Sequence, residues 1–304
     1  MKGREIIPLP PLEERLRLAL REDLGRAGDL TSRALVPWER KAEGELLVKA
    51  GGVLSGLRIL PLVFRIAAEQ VAKVARRRRP TVRTVTEVED GARVRPGQVV
   101  ARVIAPARVL LAGERTALNL VCQLSGVATM TRRFVKAVKG TRAQILDTRK
   151  TTPLWRDLEK EAVRHGGGVN HRVGLHDMIL IKDNHLALWG ADDPAAAVRE
   201  ARKRFPGVRI EVEVTTLAGF RCVCEESRPD FVLLDNFPPA EVRRAVKWLR
   251  SRGGSVRRPL LEASGGIHVG NVGAYARAGV DRISVGALTH SAPALDLSLE
   301  LVQC

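Results

Sequence analysis

From Gln144 onward the chain repeats one short theme. "QILDTRK", "MILIKDNH", "RIEVEVTT", "FVLLDNF", "PLLEASGG" and "RISVGALTH" are brief apolar runs that each end in polar residues. Segments of helical character, such as "DPAAAVREARKRF", "LAGFRCVCEES" and "PPAEVRRAVKWLR", lie between them. Strands that alternate with helices make βαβ units, and such units make a parallel sheet. Six in succession suit an α/β barrel better than an open sheet. In a barrel the carboxyl ends of the strands converge on one mouth, where active sites are built. The polar clusters fall there: Asp147 to Lys150, Lys182 to His185, Glu211 with Glu213, Asp235 with Asn236, Glu262 with Ser264 to Gly266, and Ser284 with Gly286.

That mouth would gather four cations, Arg149, Lys150, Arg172 and Lys182, beside two acids, Glu213 and Asp235. Cations brought together in a site must face something anionic, because unpaired buried charge is costly. "SGG" and "SVGA" put glycine-adjacent backbone at the last two strand ends, the region of a barrel that often holds a phosphate. The pattern predicts a phosphorylated substrate together with a second anionic one. Acids among the cations suit Mg²⁺ or sugar hydroxyls. Gly166 to Gly168 allow a sharp turn that returns His171 and Arg172 to the mouth. In "PLWRDLEKEAVRH", Arg156, Lys160 and Arg164 recur every four residues opposite Leu154, Leu158 and Ala162, which predicts a solvated helix face.

The first part of the chain reads differently. "PPLEERLRLALRED" predicts an amphipathic helix carrying Leu12, Leu16, Leu18 and Leu20. "AEGELLVKAGGVLSG" and "TVRTVTEVEDGARVRPGQVVARVIAP" alternate apolar and polar residues around Gly-Gly, Asp-Gly and Pro-Gly turns, the pattern of a small antiparallel sheet. "ARVLLAGERTALNLVCQLSGVATMTRRFVKAVKG" predicts a long helical stretch interrupted at Gly113 and Gly126.

The 304 residues are comfortable for two domains. The net charge of +17 raises nucleic-acid binding as a rival function. Arginine is spread over the whole chain, however, a compositional habit of the kind heat-adapted proteins show. The one dense run, Ala75 to Pro80, reads as a solvated helix end. Single-strand binding also needs aromatic residues among the charges, and aromatics make up 4% of the chain. No partner nucleic acid is therefore expected. Cys122, Cys222, Cys224 and Cys304 lack a second pair at zinc spacing and read as reduced thiols. No apolar run is long enough for a membrane span, and the first twenty residues contain no secretory apolar core. The expected location is the cytoplasm.

The stretches "GERTALNLVCQLSGVAT", "DTRKTTP", "LEKEAVRHGGGVNHRVGLHDMILIKDNH", "EVEV", "LLDNF", "EASGGI" and "SVGALTHSAPALDLSL" resemble, in this order, the quinolinate phosphoribosyltransferases. The resemblance runs from about Leu24 to Leu301. It implies an α/β protein with an N-terminal open-faced α/β sandwich and an incomplete α/β barrel. The sandwich would cover residues 1–115, joined by the C-terminal segment at about 289–304, and the barrel residues 116–288. It implies phosphoribosyl transfer from phosphoribosyl pyrophosphate to quinolinate, with release of pyrophosphate and CO₂ and formation of nicotinate mononucleotide, using Mg²⁺. A relative associated with molybdenum transport shares similar motifs and stands as the alternative, with a different acceptor.

The resemblance also implies roles. Arg149, His171 and Arg172 would hold the quinolinate carboxylates, joined by Arg115 from a neighbouring subunit of a homodimer, itself free to build a hexamer as a trimer of dimers. Lys150, Lys182, Glu213 and Asp235 would be catalytic. Phosphoribosyl pyrophosphate would be held by these four with Thr148, Arg149, Ser264, Gly265, Gly266, Ser284, Val285 and Gly286, and Glu213 and Asp235 would be the metal ligands. The family pattern "TTPG" reads Thr151-Thr152-Pro153-Leu154 here, so a loop that uses glycine elsewhere must accept Leu154 and then Trp155.

Overall fold

The structure is a computed structural model, and it describes residues 10–252 and 258–303. The first nine residues of the segment read for a secretory signal, and Cys304, lie outside them. By chain compactness there are two units. The first comprises Met1–Thr129, Pro153–His165 and Ala292–Cys304, and the second Met130–Thr152 and Gly166–Ser291. No helix among the described residues is long and apolar enough to cross a membrane.

The first unit contains α1 (Leu12–Leu24), α2 (Leu30–Leu35), β1 (Lys41–Val48), β2 (Gly52–Val53), α3 (Leu60–Ala75), β3 (Arg83–Thr86), β4 (Arg93–Val94) and β5 (Val99–Pro106). The 31-residue α4 (Ala107–Ala137) begins here, and α5 (Arg156–His165) also belongs to this unit. The C-terminal strand β12 (Leu297–Gln303) pairs antiparallel with β1, giving the sheet order β12-β1-β5-β3. Along β1 the period-two alternation buries Ala42, Leu46 and Val48. Glu43 and Glu45 are held by Arg102 on β5, at 3.0 and 2.9 Å, and Arg102 also reaches Glu87 at 2.7 Å. On α1, Leu16 and Leu20 are buried but Leu18 is exposed. A second ion network joins Glu13, Arg17, Arg65, Glu69 and Arg79. Arg17, Arg65, Arg79 and Arg102 are thus engaged by acids of the same unit.

Two expectations are corrected here. Helix α4 passes unbroken through Gly113 and Gly126. A Cβ at Gly113 would lie 2.8 Å from the Phe64 ring, and one at Gly126 only 2.2 Å from the Pro293 carbonyl oxygen. These glycines permit close packing rather than end the helix. Lys160 is 2% exposed and its neighbour Glu159 1%, so this part of α5 is not a solvated face. A four-residue charge repeat cannot reveal which side of a helix tertiary packing covers.

The loop that departs from the family pattern shows how Leu154 is accommodated. Its φ is +66°, in the left-handed region that glycine occupies easily and leucine at a cost of about 1–2 kcal/mol. The buried Arg15 of α1 donates to the Leu154 carbonyl and grips both Asp157 oxygens at 2.8 and 2.7 Å. Its guanidinium lies 5.2 Å from the centre of the Trp155 ring. Four contacts to one arginine hold a turn that the side chain alone would resist.

The second unit contains the six parallel strands foreseen from the sequence: β6 (Gln144–Leu146), β7 (Ile179–Ile181), β8 (Ile210–Val214), β9 (Phe231–Asp235), β10 (Leu260–Ser264) and β11 (Arg282–Ser284). They lie in the order β6-β11-β10-β9-β8-β7 and form an incomplete α/β barrel. Their helices are α6 (Asp183–Trp189), α7 (Pro194–Arg204), α8 (Leu217–Glu226), α9 (Pro239–Ser251), α10 (Val269–Ala278) and the short α11 (Ala287–His290). Local chemistry starts them: Asp193 caps α7 by accepting from the Ala196 N–H, with Pro194 next, and Thr216 caps α8 by accepting from the Gly219 N–H.

Register decides which side chains share a face. Val212, Val232, Leu234, Leu261, Ala263 and Ile283 are at most 1% exposed and form one apolar face, each contributing up to about 1.5–3 kcal/mol of burial according to its size. The alternate positions form the other face. Glu213 and Glu262 both pair with Leu233, Glu262 also pairs with Arg282, Ser264 pairs with Asp235, and Glu211 pairs with Phe231. Every charged strand residue of the site therefore falls on one side of the sheet.

Candidate active site

At the carboxyl ends of these strands is an open cavity of about 740 Å³. Each residue proposed from the sequence lines it except Arg115. Arg115 lies on α4 with its side chain 63% exposed, 3.9 Å from Glu114. The cavity also has lining residues that were not assigned roles: Leu180, Leu233, Asn236, Glu262, Ile267, Ala287 and His290. The strand residues among these sit two positions before an assigned one, so alternation along each strand was the available signal. His290 carried none.

The cations are unevenly paired. Lys182 Nζ lies 2.6 Å from Glu213 Oε2. Among the described residues, no carboxylate lies within ion-pair distance of Arg149, Lys150 or Arg172. Arg172 donates instead to the Met178 carbonyl at 3.0 Å. Burial and the nearby Arg149 cation hold the Arg172 pKa below the ordinary arginine value. Lys150 is placed through its backbone. Its N–H donates to Thr148 Oγ1 at 3.1 Å, and its carbonyl accepts from Thr289 Oγ1 at 2.7 Å.

At the ends of β9 and β10 the chain approaches itself closely. Asn236 has a φ of +57° and its N–H donates to the Ser264 carbonyl. A Cβ at Gly265, where φ is +91°, would lie 2.1 Å from Asn236 Oδ1, so this position requires glycine. The Val285 N–H donates to the Leu146 carbonyl at 2.9 Å and is thereby committed to the sheet. In the glycine triplet, Gly167 takes the left-handed φ of +88°, and the chain then reaches Asn170 and His171, which Asp147 binds.

A second charged layer underlies the cavity and reaches its lining through His171 and Glu262. His171 Nε2 is 2.9 Å from Glu211 Oε2 and 3.3 Å from Glu262 Oε1, and Arg282 Nε is 2.9 Å from Glu262 Oε2. Both glutamates are 0% exposed. Burial opposes a charged imidazole, but the Glu211 and Glu262 acceptors beside Nε2 outweigh it and lift the His171 pKa to about 9. Against this, His171 Nδ1 accepts the Arg172 N–H at 2.8 Å, which needs a lone pair there. In this geometry the ring is the Nε2–H tautomer. Burial, reinforced by Glu262, raises the pKa of Glu211. Burial also works against the Glu262 carboxylate, but His171 and Arg282 keep its pKa low.

Fold and cavity together define an α/β-barrel protein whose strand ends gather cations, acids and glycine backbone around one cavity. Two family models match the chain: the quinolinate phosphoribosyl transferase N-terminal domain over residues 29–125 and its C-terminal domain over residues 127–300. The chain is 45% identical to the nicotinate-nucleotide pyrophosphorylase (carboxylating) of Mycobacterium leprae, over 94% of this chain and 95% of that one. It is 39% identical to the probable enzyme of the same name from Bacillus subtilis, over 92% and 90% of the two chains. The crystal structure of nicotinate-nucleotide pyrophosphorylase from Ehrlichia chaffeensis superposes with a TM-score of 0.85 at 32% identity, covering 99% of this chain and 100% of that one. The chain belongs to the quinolinate phosphoribosyltransferase family.

Proposed function

We propose that this protein transfers the phosphoribosyl group of phosphoribosyl pyrophosphate to quinolinate, giving nicotinate mononucleotide, pyrophosphate and CO₂ in NAD biosynthesis. Family membership supports the reaction, and one observation supports the substrate. Arg149, Lys150 and Arg172 share a cavity without carboxylate partners among the described residues, which is the environment a doubly charged pyridine dicarboxylate would satisfy.

In this reading Arg149 and Arg172 hold the carboxylates through planar bidentate contacts. The glycine rim at Gly265, Gly266 and Gly286, with Ser264 and Ser284, receives the phosphate of the ribose donor. The pyridine nitrogen attacks the anomeric carbon once the two are held in line, and the bond to pyrophosphate breaks. Lys150 and Lys182 stabilise charge on the leaving group, while Glu213 and Asp235 stabilise the cationic ribose. The ribosylated ring then draws the electrons of the neighbouring C–C bond, CO₂ leaves, and that ring carbon takes a proton. No general base is assigned.

Glu213 and Asp235 sit on adjacent strands at the mouth and offer oxygen ligands, a donor set that fits Mg²⁺ completed by substrate phosphate and water. The ion would supply further neutralisation of the leaving pyrophosphate. We place the reaction in the cytoplasm and the chain in a homodimer, with the exposed Arg115 entering a neighbour's cavity. Mixing Arg115→Ala and Lys150→Ala subunits, each nearly inactive alone, should then restore roughly a quarter of the sites. Confirmed subunit exchange without recovery would remove the shared arginine. The reaction itself is tested by incubating the purified protein with quinolinate, phosphoribosyl pyrophosphate and Mg²⁺. Appearance of nicotinate mononucleotide and CO₂ is expected, and no product would overturn the reading.

A further inference from the structure

Glu211 and Glu262 raise a question that packing alone does not answer. Burying two acids this close together costs free energy, and apolar residues in their place would generally be no less stable. Both belong to the face of the sheet that carries the cavity, and Glu262 reaches its lining. The intervening strand β9 places Phe231 and Leu233 between them, so the carboxylates converge across apolar side chains. Each finds a cation or a ring N–H. Arg282, from the next strand, pairs with Glu262 while its guanidinium lies 4.1 Å from the Phe231 ring centre. His171 Nε2 meets both acids.

The histidine and the two acids lie within 4.8 Å of one another, a spacing that would also suit a metal ion. The Arg282 guanidinium already brings a positive charge to Glu262, however, and the His171 nitrogen stands at ordinary N–H···O distance from Glu211. The geometry is that of a buried cluster matched by ion-pair contacts, without well-aligned hydrogen bonds on the four glutamate oxygens.

Its consequence lies on the other side of the ring. His171 is held at three points: Nε2 by the glutamates, its backbone N–H by Asp147 at 2.8 Å, and Nδ1 by the Arg172 N–H at 2.8 Å. The last bond makes the direction of the Arg172 backbone depend on the orientation of the ring. Arg172 lines the cavity, and its guanidinium has the Met178 carbonyl as a polar anchor.

We propose that Glu211 and Glu262 are positioning residues that lock the His171 imidazole from below, so that His171 and Arg172 present a fixed donor array to a substrate carboxylate. The proposal rests on reading the cavity as the quinolinate site. It assigns to two buried acids, Glu211 behind the cavity lining and Glu262 within it, a part in the discrimination made at the cavity surface.

The test is ligand binding to the full-length protein by calorimetry. Glu211→Leu replaces the acceptor with an apolar side chain of comparable length. It should weaken quinolinate binding by about tenfold or more and leave phosphoribosyl pyrophosphate binding unchanged. Glu211→Gln keeps an acceptor for Nε2–H and should restore most of the loss. In a His171→Ala background, Glu211→Leu should produce no further weakening. Equal weakening of both ligands, or an undiminished effect without His171, would overturn the proposal. If Glu211→Leu does not fold, nitrogen NMR of His171 in the wild-type protein decides. A protonated Nε2 and an unprotonated Nδ1 are expected, and the reverse tautomer or a freely exchanging ring would overturn it. Failure of wild-type quinolinate turnover would instead count against the proposed reaction.

Discussion

Two charged layers meet at the carboxyl ends of the strands and behave oppositely. In the lower layer Glu211, Glu262, Arg282 and His171 are buried and mutually paired. In the upper layer Arg149 and Lys150 are exposed, and they share with Arg172 the lack of a carboxylate partner among the described residues. Similar residue types thus serve two ends. Where water is absent each charge must be matched within the protein, and the layer becomes a rigid base. Where the cavity is open, charge can be left unmatched because solvent supports it until an anion arrives.

The sharpest way to break this contrast is to unbalance the lower layer. Glu262→Leu strands the buried Arg282 cation and should cost about 3–5 kcal/mol of stability, read as a lower melting temperature. Adding Arg282→Met should recover most of that loss. If the single change were harmless, the lower layer would not be a matched charge cluster.

The same removal of charge in the upper layer should spare the fold and damage turnover. Lys150→Ala and Lys182→Ala should each lower kcat by about 10²–10³-fold, with melting temperatures close to wild type. Near-normal turnover in both would mean that this layer is not the reaction site.

Arg15 offers an intermediate case, since it is buried but its partner Asp157 is partly exposed. Arg15→Met should cost about 2 kcal/mol at neutral pH. Burial pushes the Asp157 pKa up, but Arg15 outweighs it and holds it below the usual aspartate value. A depressed carboxylate pKa stabilises above its unfolded value and loses that contribution as pH falls through the folded one. The difference between wild type and Arg15→Met should therefore shrink as pH falls below about 4. A constant difference in unfolding free energy across that range would assign Arg15 to packing alone. The smallest effect is expected where no charge changes. Leu154→Gly relieves the left-handed backbone at an exposed position and should stabilise by about 1 kcal/mol or less. A clear loss would show that the Leu154 side chain, and not only its backbone, holds the turn.

The upper layer was legible from the sequence because position along a strand is local information. A strand end in a parallel barrel is a mouth residue, and alternation tells which neighbours join it. The lower layer was not legible as a cluster. Glu211 and Glu262 appeared in the polar strand ends, but that they meet His171 follows from strand order and from the turn at Gly167. Lys160 misled for a related reason, since charge spacing along a helix says nothing of what packs on it. Gly113 and Gly126 misled because a glycine that ends a helix and one that admits a neighbour look alike in one dimension.

The central claim is that unmatched cations above a matched base select a dicarboxylate. Its most direct measurement is kcat/KM for quinolinate and for nicotinate with the wild-type protein, phosphoribosyl pyrophosphate and Mg²⁺. A site built for two carboxylates leaves cations unpaired when one is missing, so quinolinate should be preferred by a factor on the order of 10⁴. Comparable values for the two acids would contradict the account.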